Sequence, residues 1–139
     1  MNRDIDCFIE KMKKPLTMKN IEVIENNKDR VRLKLKVDEE MKNYLGIMHG
    51  GMIFTIMDYT AGFMAKTIGK FSVTQNASIN YRRPVKNGII KTDAKIINQY
   101  EKNLEILVNL RDDKDLLLAE AIFIMYIMTE DELNKKLRL

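Results

Sequence analysis

The sequence predicts an α+β domain in which an antiparallel sheet of about six strands wraps around one long helix. Two features carry this prediction. The stretch from Met52 to Ile68 is apolar on nearly every face, as a buried central helix would be. Strand-like segments precede and follow it, and turn residues divide the later ones into a meander. At 139 residues the chain has the length of one domain, so we expect a single domain over residues 1–139.

Three elements are predicted before the long helix. Apolar residues recur at helical spacing over about residues 4–13, which predicts a short amphipathic helix that ends before Pro15. Residues 31–37 alternate strictly between apolar and basic side chains, which predicts a half-buried strand. The apolar run 21–24 precedes it across the turn-forming residues 26–29, so the two segments are expected to form a hairpin.

Four strand-like segments follow the long helix, at residues 72–84, 89–99, 103–112 and 116–128. In the first of them, strict alternation places Thr74 on a polar face that is expected to look into a site. That face also carries Asn76, Ser78, Asn80 and Arg82. Thr129 and Glu132 form a capping-box pattern, which predicts a short charged helix over about residues 130–138.

Composition excludes several classes of protein. The first twenty residues hold no apolar run of the length that a signal peptide or a membrane span needs, so we expect a cytoplasmic protein. With Cys7 as the only cysteine, neither a disulfide nor a thiol redox pair can form within the chain. The sequence lacks G-x-S-x-G and basic runs interleaved with aromatics, which argues against a serine hydrolase triad and nucleic-acid binding. The acidic residues between Asp112 and Asp115 suit a hairpin turn better than a metal site, so no metal or cofactor is expected.

Asp58 is the only charged residue between Gly51 and Ala65, within a helix otherwise suited to a core. A buried carboxylate is costly unless it has a partner or a use. Two interpretations stay open. Asp58 either pairs with a lysine or a backbone amide across an interface, or it acts as a catalytic carboxylate that faces a cleft.

The residues His49, Gly50 and Gly51 stand where the chain enters the long helix. They form either a glycine-permitted turn or a site where a ligand approaches bare N–H groups. Those donors and the positive end of the helix dipole suit a developing oxyanion. Gly51 and Asp58 lie about 10 Å apart along the axis, too far for one helix to present both groups to a single thioester carbon. If both act, two subunits must meet.

The segments 43–51 and 80–85, with Asp58 and Ala61 between them, carry a family resemblance. They match N-x-x-G-x-x-H-G-G, an acid seven residues after the second glycine, and a strand that ends in R-P. This pattern resembles the hotdog-fold acyl-CoA thioesterases of the phenylacetate-degradation (PaaI-like) type, over about residues 31–128. The predicted sheet and central helix would then be a hotdog fold.

The resemblance also implies roles for residues. Asp58 would be the general base or nucleophile, and Thr74 would position the attacking water. The amide of Gly50 would bind the carbonyl oxygen, and Asn43 and His49 would hold the substrate and the loop. Asp58 and Thr74 would come from one subunit and the other three from its partner.

Three cations follow in the chain. Arg82, Arg83 and Lys86 could meet the phosphates of coenzyme A at a strand end, or could simply be solvated. The bare N–H of Gly51 is a further candidate for substrate binding.

The expected function is hydrolysis of a small or medium, aryl or aliphatic, acyl-CoA to the free acid and coenzyme A. The alternatives are a hotdog dehydratase or hydratase acting on a thioester, and a non-catalytic acyl-CoA binding module. The expected assembly is a homodimer of hotdogs or a homotetramer. We expect no nucleic-acid or membrane partner.

Overall fold

A long helix lies against one face of a six-stranded antiparallel sheet in the computed structural model, which describes residues 20–137. The helix packs mainly against five of the six strands, and Thr67 hydrogen-bonds Asn26 of the remaining one, so the sheet wraps around the helix as predicted. The helix predicted over residues 4–13 lies outside the described residues. No helix among residues 20–137 combines the length and the apolar character that crossing a membrane requires.

The elements follow the predicted order. They are β1 (Glu22–Asn26), β2 (Val31–Lys36), a 3-10 turn (Glu39–Met41), α1 (Gly50–Thr67), β3 (Ser72–Tyr81), β4 (Ile89–Gln99), β5 (Asn103–Asp112), β6 (Leu117–Ile127) and α2 (Glu130–Leu137). The strands are ordered β1-β2-β4-β5-β6-β3 and every neighbouring pair is antiparallel. This order leaves β1 and β3 at the two edges.

Glycine ends α1. Gly69 adopts a positive φ of 78°, and its N–H donates to the Lys66 carbonyl at 2.8 Å while the N–H of Lys70 donates to the Ala65 carbonyl at 3.0 Å. This pair of bonds is a Schellman motif, which satisfies carbonyls that the helix itself leaves open. The chain then turns directly into the edge strand β3.

The core lies between α1 and the inner face of the sheet. Phe63 of α1 and Phe123 of β6 are fully buried there. Removing either ring would cost about 3–5 kcal/mol, because a cavity would remain. The polar Thr60 is tolerated in this core because its hydroxyl bonds the Ile56 carbonyl and the hydroxyl of Thr92 on β4.

The sheet leaves one face of α1 uncovered, which corrects the expectation of a helix buried on nearly all sides. Residues at helical spacing on that face are exposed or half-buried. They are Gly51, Thr55, Asp58, Gly62 and Lys66, and we call them the open stripe. An apolar helix with one open face still has surface available for a further contact.

A β-bulge in β3 corrects the predicted position of Thr74. Thr74 pairs with Met125 while Asn76 pairs with Ile124, so Gln75 is inserted between them and the register shifts. The extra residue moves Thr74 to the inner face, next to α1. Strict alternation had placed it on the opposite face, which the structure gives to Asn76, Ser78 and Asn80.

The capping box before α2 is present. The N–H of Glu132 donates to the Thr129 hydroxyl at 3.2 Å, and the Glu132 carboxylate accepts the N–H of Thr129 at 3.5 Å. The hydroxyl of Tyr126 on β6 also donates to Glu132, at 2.8 Å and 2.9 Å to its two oxygens. This bond ties α2 to the sheet.

Candidate active site

Asp58 and Thr74 form one half of the candidate site, which we call the acid half-site. The Thr74 hydroxyl donates to Oδ1 of Asp58 at 2.5 Å, and this contact exists because the bulge turns Thr74 toward α1. Within residues 20–137, no Lys or Arg nitrogen forms an ion pair with Asp58, and its Oδ2 atom accepts no hydrogen bond. The carboxylate is therefore oriented by one bond and keeps one oxygen for chemistry.

A cavity of about 360 Å³ opens at the acid half-site. Its lining residues are Asp58, Tyr59, Gly62, Lys66, Ser72, Val73, Thr74 and Met125. Burial raises the pKa of the Tyr59 hydroxyl, so this group stays protonated and can donate a hydrogen bond at neutral pH. The cavity combines one carboxylate with several donors.

A second cavity, of about 280 Å³, opens at the start of α1, and we call this region the amide half-site. Asn43, Gly50 and Tyr81 are among its lining residues. Within residues 20–137, the N–H groups of Gly50 and Gly51 donate to no acceptor. The amide half-site therefore presents free donors at the positive end of the helix dipole, which suits a carbonyl oxygen that gains negative charge.

Asn43 shapes the loop that leads to the amide half-site. Its Oδ1 atom accepts the N–H of Leu45 at 2.9 Å and that of Ile47 at 3.3 Å, while Gly46 turns the loop with a φ of 76°. These bonds are local turn bonds that asparagine favours. Asn43 therefore shapes this loop within the chain, and its role in holding the substrate stays a prediction.

His49 lies at the N-cap of α1 with an exposed side chain. Its backbone N–H donates to the Met41 carbonyl at 2.9 Å. Its ring makes no hydrogen bond to any residue in the described part of the chain, and it is absent from the lining of the amide half-site. Within one chain His49 therefore anchors the loop through its backbone.

Tyr81 is a site residue that the sequence reasoning did not single out. Its hydroxyl donates to the Gly50 carbonyl at 3.0 Å, and its ring carbons lie 3.6 Å from the position that a Cβ at Gly50 would take. Tyr81 thereby fixes the first turn of α1 from the edge strand β3. The only signal in the sequence was its place beside Arg82 in the segment that resembles the family.

The three predicted cations differ in whether their side chains already have a partner within the chain. Arg82 forms an ion pair with Glu120, although it also lines the amide half-site. Arg83 donates through Nη1 to the Leu117 carbonyl at 2.8 Å, and Lys86 forms no ion pair with any residue from 20 to 137. Arg83 and Lys86 both line a neighbouring cavity of about 360 Å³. Within residues 20–137, Arg83 and Lys86 form no ion pair, whereas the charge of Arg82 is already paired with Glu120.

The two half-sites lie on the same helix but do not meet within one chain. Their cavities share no lining residue. Gly50 and Asp58 are eight residues apart, which is about 12 Å along the axis. The separation that was predicted between Gly51 and Asp58 along the helix is therefore present in the structure. One subunit offers a carboxylate in one place and free N–H donors in another.

Known proteins share this fold. A family model described as the thioesterase superfamily matches residues 45–119, more than half of the chain. A protein of Saccharolobus solfataricus, provisionally classed as an esterase, is 28% identical over 105 residues, which cover 73% of this chain and 70% of that protein. A hypothetical thioesterase of Streptococcus pneumoniae, solved with coenzyme A, is 24% identical and has a TM-score of 0.78, covering 81% of this chain and 88% of that one.

The PaaI protein of E. coli, from the phenylacetic acid degradation operon, is 16% identical and has a TM-score of 0.81. That match covers 89% of this chain and 90% of the PaaI chain. The likeness in structure establishes the hotdog fold, and the family match covers all of α1, with Gly50 and Asp58, and strands β3 to β5. The chain belongs to the thioesterase superfamily as a hotdog-fold thioester hydrolase.

Proposed function

We propose that the chain hydrolyses a small or medium acyl-CoA thioester to the free acid and coenzyme A, with Asp58 as the central residue. The observation that carries the proposal is the carboxylate of Asp58, oriented by Thr74 and open to a cavity. The coenzyme A bound to the similar protein of Streptococcus pneumoniae supports the choice of thioester. Arg83 and Lys86 offer N–H groups for the phosphates of that carrier.

Two routes through Asp58 lead to the same products. As a general base, Oδ2 takes a proton from water, the water oxygen adds to the thioester carbon, and the C–S bond then breaks as the sulfur takes a proton. As a nucleophile, Oδ2 adds to that carbon itself and expels the thiolate, and water then cleaves the anhydride. In both, a free N–H at the start of α1 holds the carbonyl oxygen. A single turnover in ¹⁸O-water labels the Asp58 carboxylate only in the second route.

Thiol release from a panel of acyl-CoA substrates, with enoyl-CoA hydration followed in parallel, tests the function. We expect release from at least one aryl or aliphatic substrate. Hydration without release would assign the chain to the hydratases, and tight binding without either reaction would make it a binding module.

Replacing Asp58 with asparagine keeps the shape of the side chain but removes its charge. The Asp58→Asn variant should lower kcat by at least about 10²-fold and leave the fold intact, as expected for loss of an acid–base group. Asp29→Asn is the matched control, because Asp29 is an exposed carboxylate in the β1–β2 turn. Equal activity of Asp58→Asn and the control would make Asp58 a structural residue.

The proposed site is completed by a second copy of the chain. The separated half-sites support this, and so does the free edge of β3, on which Val73 and Tyr81 are exposed by 46% and 49%. Tyr44 and Leu45, beside the amide half-site, are exposed by 94% and 64%. Such a run of exposed apolar surface is typical of a surface that another chain covers. We propose a dimer in which the acid half-site of each copy faces the amide half-site of the other.

The proposed assembly is this dimer or a tetramer of two such dimers. Sedimentation of the purified protein over a range of concentrations measures the assembly state directly.

Mixing two inactive variants tests the shared site. An Asp58→Ala chain and a Gly50→Pro chain are unfolded together and refolded. Random pairing makes about half of the dimers mixed, and each mixed dimer has one site with both lesions and one with neither. Activity should therefore return to about a quarter of that of the wild type. A mixture as inactive as its parents would show that each site belongs to one subunit.

A further inference from the structure

The cavity of the acid half-site extends past Asp58 along α1. Gly62 follows Asp58 by one helical turn and Lys66 by two, and all three line this cavity. A Cβ added at Gly62 would meet nothing within 4 Å, so the helix leaves open space between the acid and the lysine. An acyl group whose carbonyl lies at Asp58 can extend over Gly62 toward Lys66.

The cavity is also rich in hydrogen-bond donors. Besides Lys66 it is lined by the hydroxyl residues Tyr59 and Ser72. Within residues 20–137, none of these three side chains makes a hydrogen bond or an ion pair. The only carboxylate in the lining is Asp58, and it forms no ion pair with Lys66. These three donors therefore have no acceptor among residues 20–137.

A lysine in the last turn of a helix has an ordinary explanation, because its charge complements the negative end of the helix dipole. That explanation accounts for a cation near residue 66. It does not account for the gap at Gly62 or for two further donors in the same cavity. Long side chains on helices also lean toward the N-terminus, which directs Lys66 toward Asp58 and away from the end of the helix.

We propose that the preferred acyl group carries a carboxylate at its far end and that Lys66 binds this carboxylate. The inference rests on the proposed thioesterase function and names its substrate class, an ω-carboxyacyl-CoA. Cα atoms eight residues apart in a helix are separated by about 12 Å, and the long side chain of Lys66 leans into that span while the short side chain of Asp58 leans away from it. The remaining gap is about 5–8 Å, which a chain of about six carbons fills.

The test compares two substrates of equal length, adipyl-CoA and hexanoyl-CoA, which differ only in the terminal carboxylate. In the wild type we expect kcat/KM for adipyl-CoA to exceed that for hexanoyl-CoA by about tenfold, as for one partly exposed charge-assisted contact. Lys66→Met should remove this preference, chiefly by lowering kcat/KM for adipyl-CoA. Lys66→Glu should reverse the preference, because like charges repel.

Lys70→Met is the matched control, since Lys70 lies one helical turn after Lys66, just past the end of α1, and does not line the cavity. It should keep the preference of the wild type. Equal rates for the two substrates in the wild type, or an unchanged ratio in Lys66→Met, would overturn the assignment of Lys66.

Failure of the proposed function gives a different result. If no acyl-CoA is hydrolysed, the same comparison is made by calorimetry with thioether analogues of the two substrates, which cannot be cleaved. Tighter binding of the adipyl analogue that Lys66→Met abolishes would retain the subsite and reject the hydrolase. Equal binding of both analogues would reject the subsite as well.

Discussion

Replacing Gly50 with proline should remove one N–H donor from the amide half-site while leaving the start of α1 in place. Gly50 is the first residue of the helix, where proline is favoured because its missing N–H would have no partner inside the helix. The residue before a proline must be extended, and His49 already has φ −55° and ψ 136°. A Cβ at this position would lie at an ordinary 3.6 Å from the ring of Tyr81. The free energy of unfolding should therefore stay unchanged or rise by up to about 1 kcal/mol.

The catalytic loss should be large by comparison. A single donor to a developing oxyanion is worth about 10²–10³ in kcat. We expect Gly50→Pro to lower kcat by about 10²-fold with a smaller change in KM, because the donor matters most when charge builds up on the carbonyl oxygen. Steady-state thiol release measures the rates, and thermal unfolding measures stability on the same samples.

Gly50→Ala separates the loss of the donor from the added bulk. It places the same Cβ against Tyr81 but keeps the N–H, so it should lose much less activity than Gly50→Pro. Equal losses of activity in Gly50→Ala and Gly50→Pro would show that the added bulk, and not the lost N–H, causes the effect. A stable Gly50→Pro variant with wild-type kcat would show that another donor, such as the N–H of Gly51, binds the oxygen.

Three further predictions concern single contacts. Thr74→Val keeps a β-branched strand residue but removes the bond to Asp58, so kcat should fall by about tenfold, and an unchanged kcat would make this bond dispensable. Tyr81→Phe removes only the hydroxyl that bonds the first carbonyl of α1. It should lower kcat by up to about tenfold at constant stability. A variant in which only KM changes would contradict a positioning role for Tyr81. The hydrogen bond from Tyr126 holds the pKa of the Glu132 carboxyl below its ordinary 4.5. The contact of α2 with the sheet should therefore be stable above pH 4.5 and be lost as the pH falls through that lowered pKa. Hydrogen exchange over residues 130–137 should show this loss, and Tyr126→Phe should weaken its pH dependence.

Periodicity alone was sufficient to predict most of the fold. The strict alternation over residues 31–37 became β2, and the apolar run after Gly51 became α1, because both patterns follow directly from which side chains face a core. Their ends differ by a few residues at most. The predicted strand over residues 72–84, for example, stops at Tyr81.

The face of Thr74 could not be predicted in the same way. Strict alternation assumes that successive side chains point to opposite faces of the sheet. The inserted residue Gln75 interrupts that alternation. Neither glycine nor proline marks the bulge in the sequence. The family resemblance alone therefore implied that Thr74 and Asp58 belong to the same site, and the contact between them required the register of β3 against β6.

Part of the apolar surface of α1 stays uncovered in the single chain. The open stripe itself carries the polar residues Thr55, Asp58 and Lys66, but Met52, Phe54 and Tyr59 beside it stay only half-buried. Side chains of this kind are stabilised when a further surface covers them, at about 25 cal/mol for each Å² of apolar area removed from water. The same surface is the one from which the acid half-site opens. The apolar pattern that predicted a helix buried on all sides is thus the pattern expected if a second subunit completes both the burial and the site.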